Sequence, residues 1–332
     1  MRRALLLFVG LVVLAALGCA ALAWHWYHAP LPLPRTPFDF EVRSGATLSA
    51  VTRRLHEDGV LPHPLALVGL ARIRHADRAI KAGSYEVEAG VTLPQLLARL
   101  TEGDVTQSSI TVVEGITFAE LKRALREDPK IGKRVADLPD AELLARLHID
   151  APSPEGQFFP DTYFFAAGSP DAALLARAHR ALERRLAAAW ASRAADLPLH
   201  TPYEVLILAS LIEKETGRAA DRPLVASVFV NRLRRNMKLQ TDPSVIYGLG
   251  ERFDGNLRRR DLAADNPHNT YTREGLPPTP IALPSQASLD AAVHPATTDY
   301  LYFVSRGDGT SVFSATLAEH NRAVNRYQRN AR

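Results

Sequence analysis

The chain of 332 residues predicts an α+β fold with a single N-terminal transmembrane helix, a small βα module and a larger mixed α/β domain. Three observations carry this. A long uncharged apolar stretch opens the chain, a strand–turn–helix pattern then recurs, and a very apolar helix ending in two acids stands in the C-terminal half. With 46% hydrophobic and 23% charged residues the chain can bury real cores. Its length exceeds a typical single domain.

Ala4 to Trp24 carries no charge over about 21 residues, long enough to cross a bilayer, and Arg2 and Arg3 favour a cytoplasmic N-terminus. The expected order is a cytoplasmic tip (1–3), a membrane span (4–24) with Trp24, Trp26 and Tyr27 as an interfacial belt, and a stiff stalk (25–37) set by Pro30, Pro32, Pro34 and Pro37. A cleaved signal peptide is the first alternative. A lipoprotein-like Ala16-Leu17-Gly18-Cys19 is the second. Cys19 is the only cysteine, so neither an intramolecular disulfide nor a cysteine-based metal cluster can form. On this reading the protein is a single-pass inner-membrane protein with its body in the periplasm.

Residues 38–128 form the small module. Gly45-Ala46-Thr47-Leu48 leads to Leu55, Gly90-Val91-Thr92-Leu93 to Leu100, and Gly115-Ile116-Thr117-Phe118 to Leu125. Each copy reads as a Gly turn, a Thr N-cap and a short amphipathic helix. Strands at Asp39–Val42 and Ser84–Val87 precede the first two. The unit is similar to lysin-motif (LysM) modules, which grip N-acetylated glycans; three βα units that merely pack together remain the alternative. Residues 129–154 are polar and punctuated by Asp and Pro, and read as a connector.

Thr201 to Gly217 reads as one helix, with Thr201 as N-cap, Pro202 at the first position, Glu204 completing a capping box and Gly217 as the stop. A helix this apolar belongs in a core, so its last turn brings Glu213 and Glu215 out of that core. Helical phase puts Glu215 on the strip of Val205, Leu208 and Ile212, and Glu213 beside Leu206 and Ser210. Glu215 is therefore the expected buried, proton-holding acid and Glu213 the solvated or supporting one. Burial and a helix C-terminus both raise a carboxyl pKa toward what a general acid needs. Two ordinary surface carboxylates closing an amphipathic helix are the bland alternative.

Downstream lie Asn231-Arg232-Leu233, Leu239-Gln240-Thr241-Asp242-Pro243-Ser244-Val245-Ile246-Tyr247-Gly248, Asn269-Thr270-Tyr271, Gly275 to Ile281, His294-Pro295-Ala296 and Tyr300 to Val304. Amide and hydroxyl side chains beside Tyr rings and rigid turns suit a sugar cleft. Together with ASLIEKET and the upstream Glu155-Gly156-Gln157-Phe158-Phe159-Pro160-Asp161-Thr162-Tyr163, these segments closely resemble the endolytic murein transglycosylases. The resemblance spans roughly Glu155 to Tyr327 and implies a catalytic domain over 155–330. It implies Glu215 as the catalytic residue, with Glu155, Gln240, Asp242, Tyr247, Asn269 and Tyr271 lining the substrate cleft. Gln157 departs from the aromatic or aliphatic residue often found at its place. The implied reaction cleaves the MurNAc-β-1,4-GlcNAc bond of peptidoglycan without water, leaving 1,6-anhydro-MurNAc ends and terminating or trimming nascent strands. Asn231 stands in an apolar run and could instead satisfy buried backbone groups.

Expected partners are peptidoglycan glycan strands and membrane lipid, with cell-wall synthesis proteins open. The net charge of +4 is mild and no basic stripe accompanies a known module, so no nucleic-acid partner is expected. Arg232-Leu233-Arg234-Arg235 and Arg258-Arg259-Arg260 read as solvated faces. The histidines include no HExxH, so no metal is expected, and no cofactor either. A pyridoxal-phosphate lyase would need a Schiff-base lysine and a phosphate cradle, and only Lys214 stands near the acids. Within the enzyme class, Asp242 could serve as second carboxylate of a hydrolase. Outside it, the same cleft and repeat would suit a non-catalytic peptidoglycan-binding scaffold.

Overall fold

A computed structural model describes residues 2–42, 45–81, 83–102, 107–132, 134–166 and 168–329. The chain divides into two compact units, Met1–Ser109 with Phe164–Ala167, and Ile110–Tyr163 with Gly168–Arg332.

The first unit contains α1 (Arg2–His28), β1 (Phe38–Val42), α2 (Leu48–Glu57), α3 (Pro64–Ile73), β2 (Gly83–Val87) and α4 (Leu93–Glu102). β1 and β2 pair antiparallel with Phe38 opposite Val87 and Phe40 opposite Tyr85. The alternating Phe38, Phe40 and Val42 all turn inward, and with Leu55, Leu67, Leu96 and Leu100 they make the core. The repeat is visible in the backbone. Gly45, Gly90 and Gly115 all have positive φ, at 79°, 87° and 75°, which a side chain would resist. Thr47 and Thr117 each accept the amide three residues on, capping α2 and the helix after Thr117. The third copy, Gly115 to Leu125, belongs to the second unit.

Two expectations for the N-terminus are corrected. Among the described residues no helix is long and apolar enough to cross a membrane. That finding overturns the expected transmembrane helix at 4–24 and the single-pass inner-membrane location. The side chains of Arg2, Arg3 and Cys19 lie outside the described residues. Two of the three supposed interfacial aromatics contact the first unit instead, while Trp24 stays exposed: the Trp26 ring lies 4.4 Å from the His63 ring, and Arg74 donates to the Tyr27 hydroxyl at 2.7 Å. The Pro-rich stretch is not a free stalk either. Pro30 bridges Thr92, the Leu31 amide donates to Val91 O at 2.8 Å, and Leu31 and Leu33 pack on the core.

β3 (Gln107–Thr111) and β4 (Thr162–Ala166) form a two-stranded sheet in which the chain passes from one unit to the other. The second unit then holds α5 (Phe118–Glu127), α6 (Asp140–Leu147), α7 (Asp171–Ser192), α8 (Pro202–Glu215), α9 (Arg222–Arg234), α10 (Asp242–Leu249), α11 (Arg259–Ala263), α12 (Gln286–Val293), β5 (Tyr302–Ser305), β6 (Ser311–Ser314) and α13 (Leu317–Val324). The polar stretch read as a connector contains α6, whose Leu143 and Leu144 are buried. β5 and β6 form an antiparallel hairpin.

α8 is the axis of this unit. Every residue from Val205 to Ile212 is buried, and α7, α9, α10 and α12 pack around it. Thr201 caps it as expected, accepting the Glu204 amide. Glu204 reaches back one residue further than a capping box requires, to the His200 amide. The stop differs too. Thr216 closes the helix in an extended conformation at φ −150°, its amide on Ile212 O, so no left-handed glycine is needed at Gly217.

Candidate active site

Three consecutive residues at the end of α8 reach three different segments. Lys214 donates to Gly115 O at 3.1 Å. Glu213 accepts the Ser285 amide at 2.9 Å, the Ser285 hydroxyl, the Ser288 hydroxyl at 2.7 Å and Arg222 Nη2 at 3.3 Å. These bonds pin the start of α12, where Ser285 is the N-cap. Glu213 is therefore not solvated, as its helical face suggested; its side chain is only 7% exposed. Burial opposes its charge, but the two serine hydroxyls, the amide and Arg222 outweigh burial and hold the carboxyl below the usual range.

Glu215 is the opposite case. Its Oε1 accepts the Thr241 hydroxyl, and among the described residues Oε2 has no hydrogen-bond partner. Burial pushes the Glu215 pKa up to about 7; neighbouring Asp242 adds to the rise, while Thr241 and Arg232 oppose it. Two adjacent acids thus have divergent proton affinities, the pattern that assigns acid–base roles. The neutral acid can give up a proton near pH 7, and its carboxylate can take one back.

Thr241 stands at the N-cap of α10 yet makes no cap bond with its side chain. Its hydroxyl goes to Glu215 instead, while its amide donates to Thr270 Oγ1 at 3.0 Å. Gln240, at φ 51°, is a non-glycine residue in the left-handed region, its amide on Thr270 O. Asp242 Oδ1 accepts the Tyr271 hydroxyl at 2.5 Å. The expected Gln240, Asp242 and Tyr271 are thereby gathered beside Glu215, with Thr270 as the joint between them.

Glu155, Tyr247 and Asn269 are placed differently. Glu155 is only 4% exposed and accepts the Phe118 amide with both oxygens, at 2.9 and 3.1 Å. Tyr247 is half-buried and hydrogen-bonds to Glu155. Asn269 is fully buried, and its Nδ2 donates to Asp261 O, Leu262 O and Ala264 O. It shapes the loop that carries Thr270 and Tyr271 and does not line a cleft. Asn231 likewise donates to Thr298 O and Tyr300 O.

The YceG-like family matches residues 40–326 of this sequence. The chain belongs to that family. It is 33% identical over 312 residues to a Bacillus subtilis protein named endolytic murein transglycosylase, covering 88% of this chain and 85% of that one. A Streptococcus pneumoniae protein of the same name is 25% identical over 319 residues, which cover 85% of this chain and 57% of the pneumococcal protein. The crystal structure of a YceG-like protein from Listeria monocytogenes superposes with a TM-score of 0.53 at 28% identity, covering 86% of this chain and 98% of that one.

Several groups that build this YceG-like site escape a reading of the sequence. Arg232 stands in a cluster read as solvated, yet it is 7% exposed. Its Nε donates to Leu301 O at 2.7 Å, its Nη1 donates to Lys238 O and Leu239 O at 3.1 and 2.8 Å, and its charge faces Glu215. Its position in the apolar Val225–Leu233 run was the available signal. Thr241 and Thr270 lie inside the quoted motifs without a role of their own, and nothing in sequence marks Ser285 or Ser288. A pocket of about 420 Å³ lies at the other end of α8, lined by Tyr203, Glu204, Leu276 and Pro277, away from the acid. Asn269→Ala strips three carbonyls of their donor and is expected to cost about 1–3 kcal/mol in urea unfolding. Unchanged stability would return Asn269 to a substrate role.

Proposed function

We propose that this protein is a lytic transglycosylase that cleaves the β-1,4 bond between N-acetylmuramic acid and N-acetylglucosamine in peptidoglycan. The observation that carries the reading is Glu215: one half-buried carboxyl, uncharged up to about pH 7, with the Thr241 hydroxyl as its one hydrogen bond among the described residues. Glu215 gives its proton to the glycosidic oxygen as the bond to C1 breaks. The 6-hydroxyl oxygen of the muramic acid residue attacks C1, and its proton passes to the Glu215 carboxylate. The acid is restored and a 1,6-anhydro ring closes. Hydrolytic glycosidases generally need two carboxylates; an internal nucleophile removes that need. Gln240, Asp242 and Tyr271 stand around the acid as sugar-contacting groups. The similarity to proteins named endolytic murein transglycosylase supports the substrate class.

A hydrolase is the second reading, favoured by the proximity of Asp242. Its Oδ1 is taken by the Tyr271 hydroxyl and its side chain is exposed, which suits a group that orients substrate better than one that activates water. A scaffold without catalysis is tested by solubilisation. The full chain should release muropeptides from purified sacculi, and release should disappear with Glu215→Gln. No release by the unaltered protein would favour the scaffold.

The first unit is proposed to grip glycan in the manner of lysin motifs, through the turn between β2 and α4. There Glu88, Gly90, Gln95 and Arg99 line an open pocket of about 440 Å³. Deleting residues 36–105 is expected to weaken sacculus binding and leave product type unchanged. Undiminished binding would leave the repeat a structural role only.

A further inference from the structure

Glu155 does not touch Glu215, yet it reaches the start of α5 and α10, the helix that begins directly after Thr241. Its carboxylate accepts the Phe118 amide, one of the unpaired donors at the start of α5. It also accepts the Tyr247 hydroxyl, and α10, which carries Tyr247, begins at Asp242 directly after Thr241. The Tyr247 oxygen faces Thr279, whose hydroxyl donates to Pro280 O at 2.9 Å and whose Oγ1 lies 2.9 Å from His268 Nε2. The rings of Tyr247 and His268 are 4.9 Å apart, and His268 opens the loop that supplies Thr270 and Tyr271. The corner is close-packed. A Cβ on Gly156 would meet Pro280 side-chain atoms at 2.6 Å, so the Glu155 backbone has little room to shift.

We infer that Glu155 is a positioning residue of the lyase, whose carboxylate acts through Tyr247, by its place on α10 and its ring contact with His268, to seat α10 and the 268–271 loop against Glu215. This rests on the reading of Glu215 as the catalytic acid. The ionised carboxylate can accept the Phe118 amide, the Gly156 amide and the Tyr247 hydroxyl together. Protonation turns one oxygen into a donor facing donors and breaks the grip. The groups around it are few. Tyr247 faces it from α10, Tyr203 from α8 and Glu120 from α5, and Asp140 of α6 faces Tyr247. Among these described groups no cation offsets its charge, and burial raises its pKa to about 7.

The two carboxyls are therefore needed in opposite states. Turnover requires Glu155 ionised and Glu215 protonated, which gives a narrow bell with both limbs near pH 7. The test is the pH profile of kcat on purified sacculi for the unaltered protein, Glu155→Gln, Tyr247→Phe and the double variant, each with a melting curve. Glu155→Gln should lose about tenfold or more in kcat, since small misplacements of a reacting group are costly. It should also lose the ascending limb while the descending limb stays. Tyr247→Phe keeps the carboxyl and cuts its link to α10, so it should lose the same limb even if Glu155→Gln folds poorly. The double variant should be no slower than the slower single variant. An intact ascending limb in both single variants, or losses that multiply in the double, would overturn the inference. A descending limb missing from the unaltered protein would instead count against Glu215 as the acid, independently of Glu155.

Discussion

Glu215→Gln is expected to lower turnover by at least ~10² to 10⁴, the usual worth of general acid–base help, and by more because one group serves both proton transfers. Gln keeps the volume and the bond from Thr241 but cannot pass a proton to the leaving oxygen. Glu213→Gln should retain measurable turnover, because Glu213 holds α12 in place and is kept ionised by Ser285, Ser288 and Arg222. The same variants separate in stability. The Glu215 carboxyl has a folded pKa of about 7, above its ordinary 4.5, so the folded state binds its proton more tightly than the unfolded chain does. Its contribution is fully favourable below about pH 4.5 and is lost as pH rises through 7. Glu215→Gln should therefore melt higher than the unaltered protein at pH 8, by up to about 3 kcal/mol, with the gap closing below pH 4.5. Glu213 has the reverse sign: its lowered pKa stabilises above 4.5 and is lost on acidification. Equal loss of activity in the two variants, or a Glu215→Gln protein less stable at pH 8, would move the acid elsewhere.

Arg232→Met should be the most destabilising single change in the site, by about 3–5 kcal/mol in urea unfolding. The guanidinium satisfies carbonyls of Leu301, Lys238 and Leu239 and reaches Gln240 Oε1 at 3.3 Å, all from a buried position. It also lies over the Tyr302 ring at 5.2 Å. Arg232→Lys keeps the charge and loses the fork, so its cost should be intermediate. Wherever a folded variant lacks the cation, the neutral form of Glu215 is favoured further, and the descending limb of the pH profile should shift to higher pH. A stable Arg232→Met protein with an unmoved limb would return Arg232 to the solvated cluster suggested by sequence.

The helix bearing the acids was legible because its signals are local: a Thr cap, Pro at the first turn, and an apolar run too continuous for a surface. The repeat was legible for the same reason, since each Gly turn takes a positive φ and Thr47 and Thr117 cap the helices beside them. Partners that arrive from distant segments were not. Helical phase separated Glu213 from Glu215, but it could not show that Ser285 and Ser288 would bury the first. Arg232, among neighbouring arginines, looked solvated until Leu301 and Leu239 closed over it. Glu155 was expected in the cleft through the family resemblance of its motif, whereas the Phe118 amide of α5 reaches both its oxygens. At the N-terminus, composition suggested a span and a stalk, while the structure ties Tyr27, Leu31 and Leu33 into the first unit.

The central claim is that Glu215 alone carries proton transfer in a cleavage that uses no water. Digesting purified sacculi in water enriched in heavy oxygen, and weighing the products by mass spectrometry, tests it most directly. Anhydromuropeptides free of label are the expected products, absent from the Glu215→Gln digest. Reducing ends that carry the heavy oxygen would contradict the claim and make the protein a hydrolase, with Asp242 as the second carboxylate.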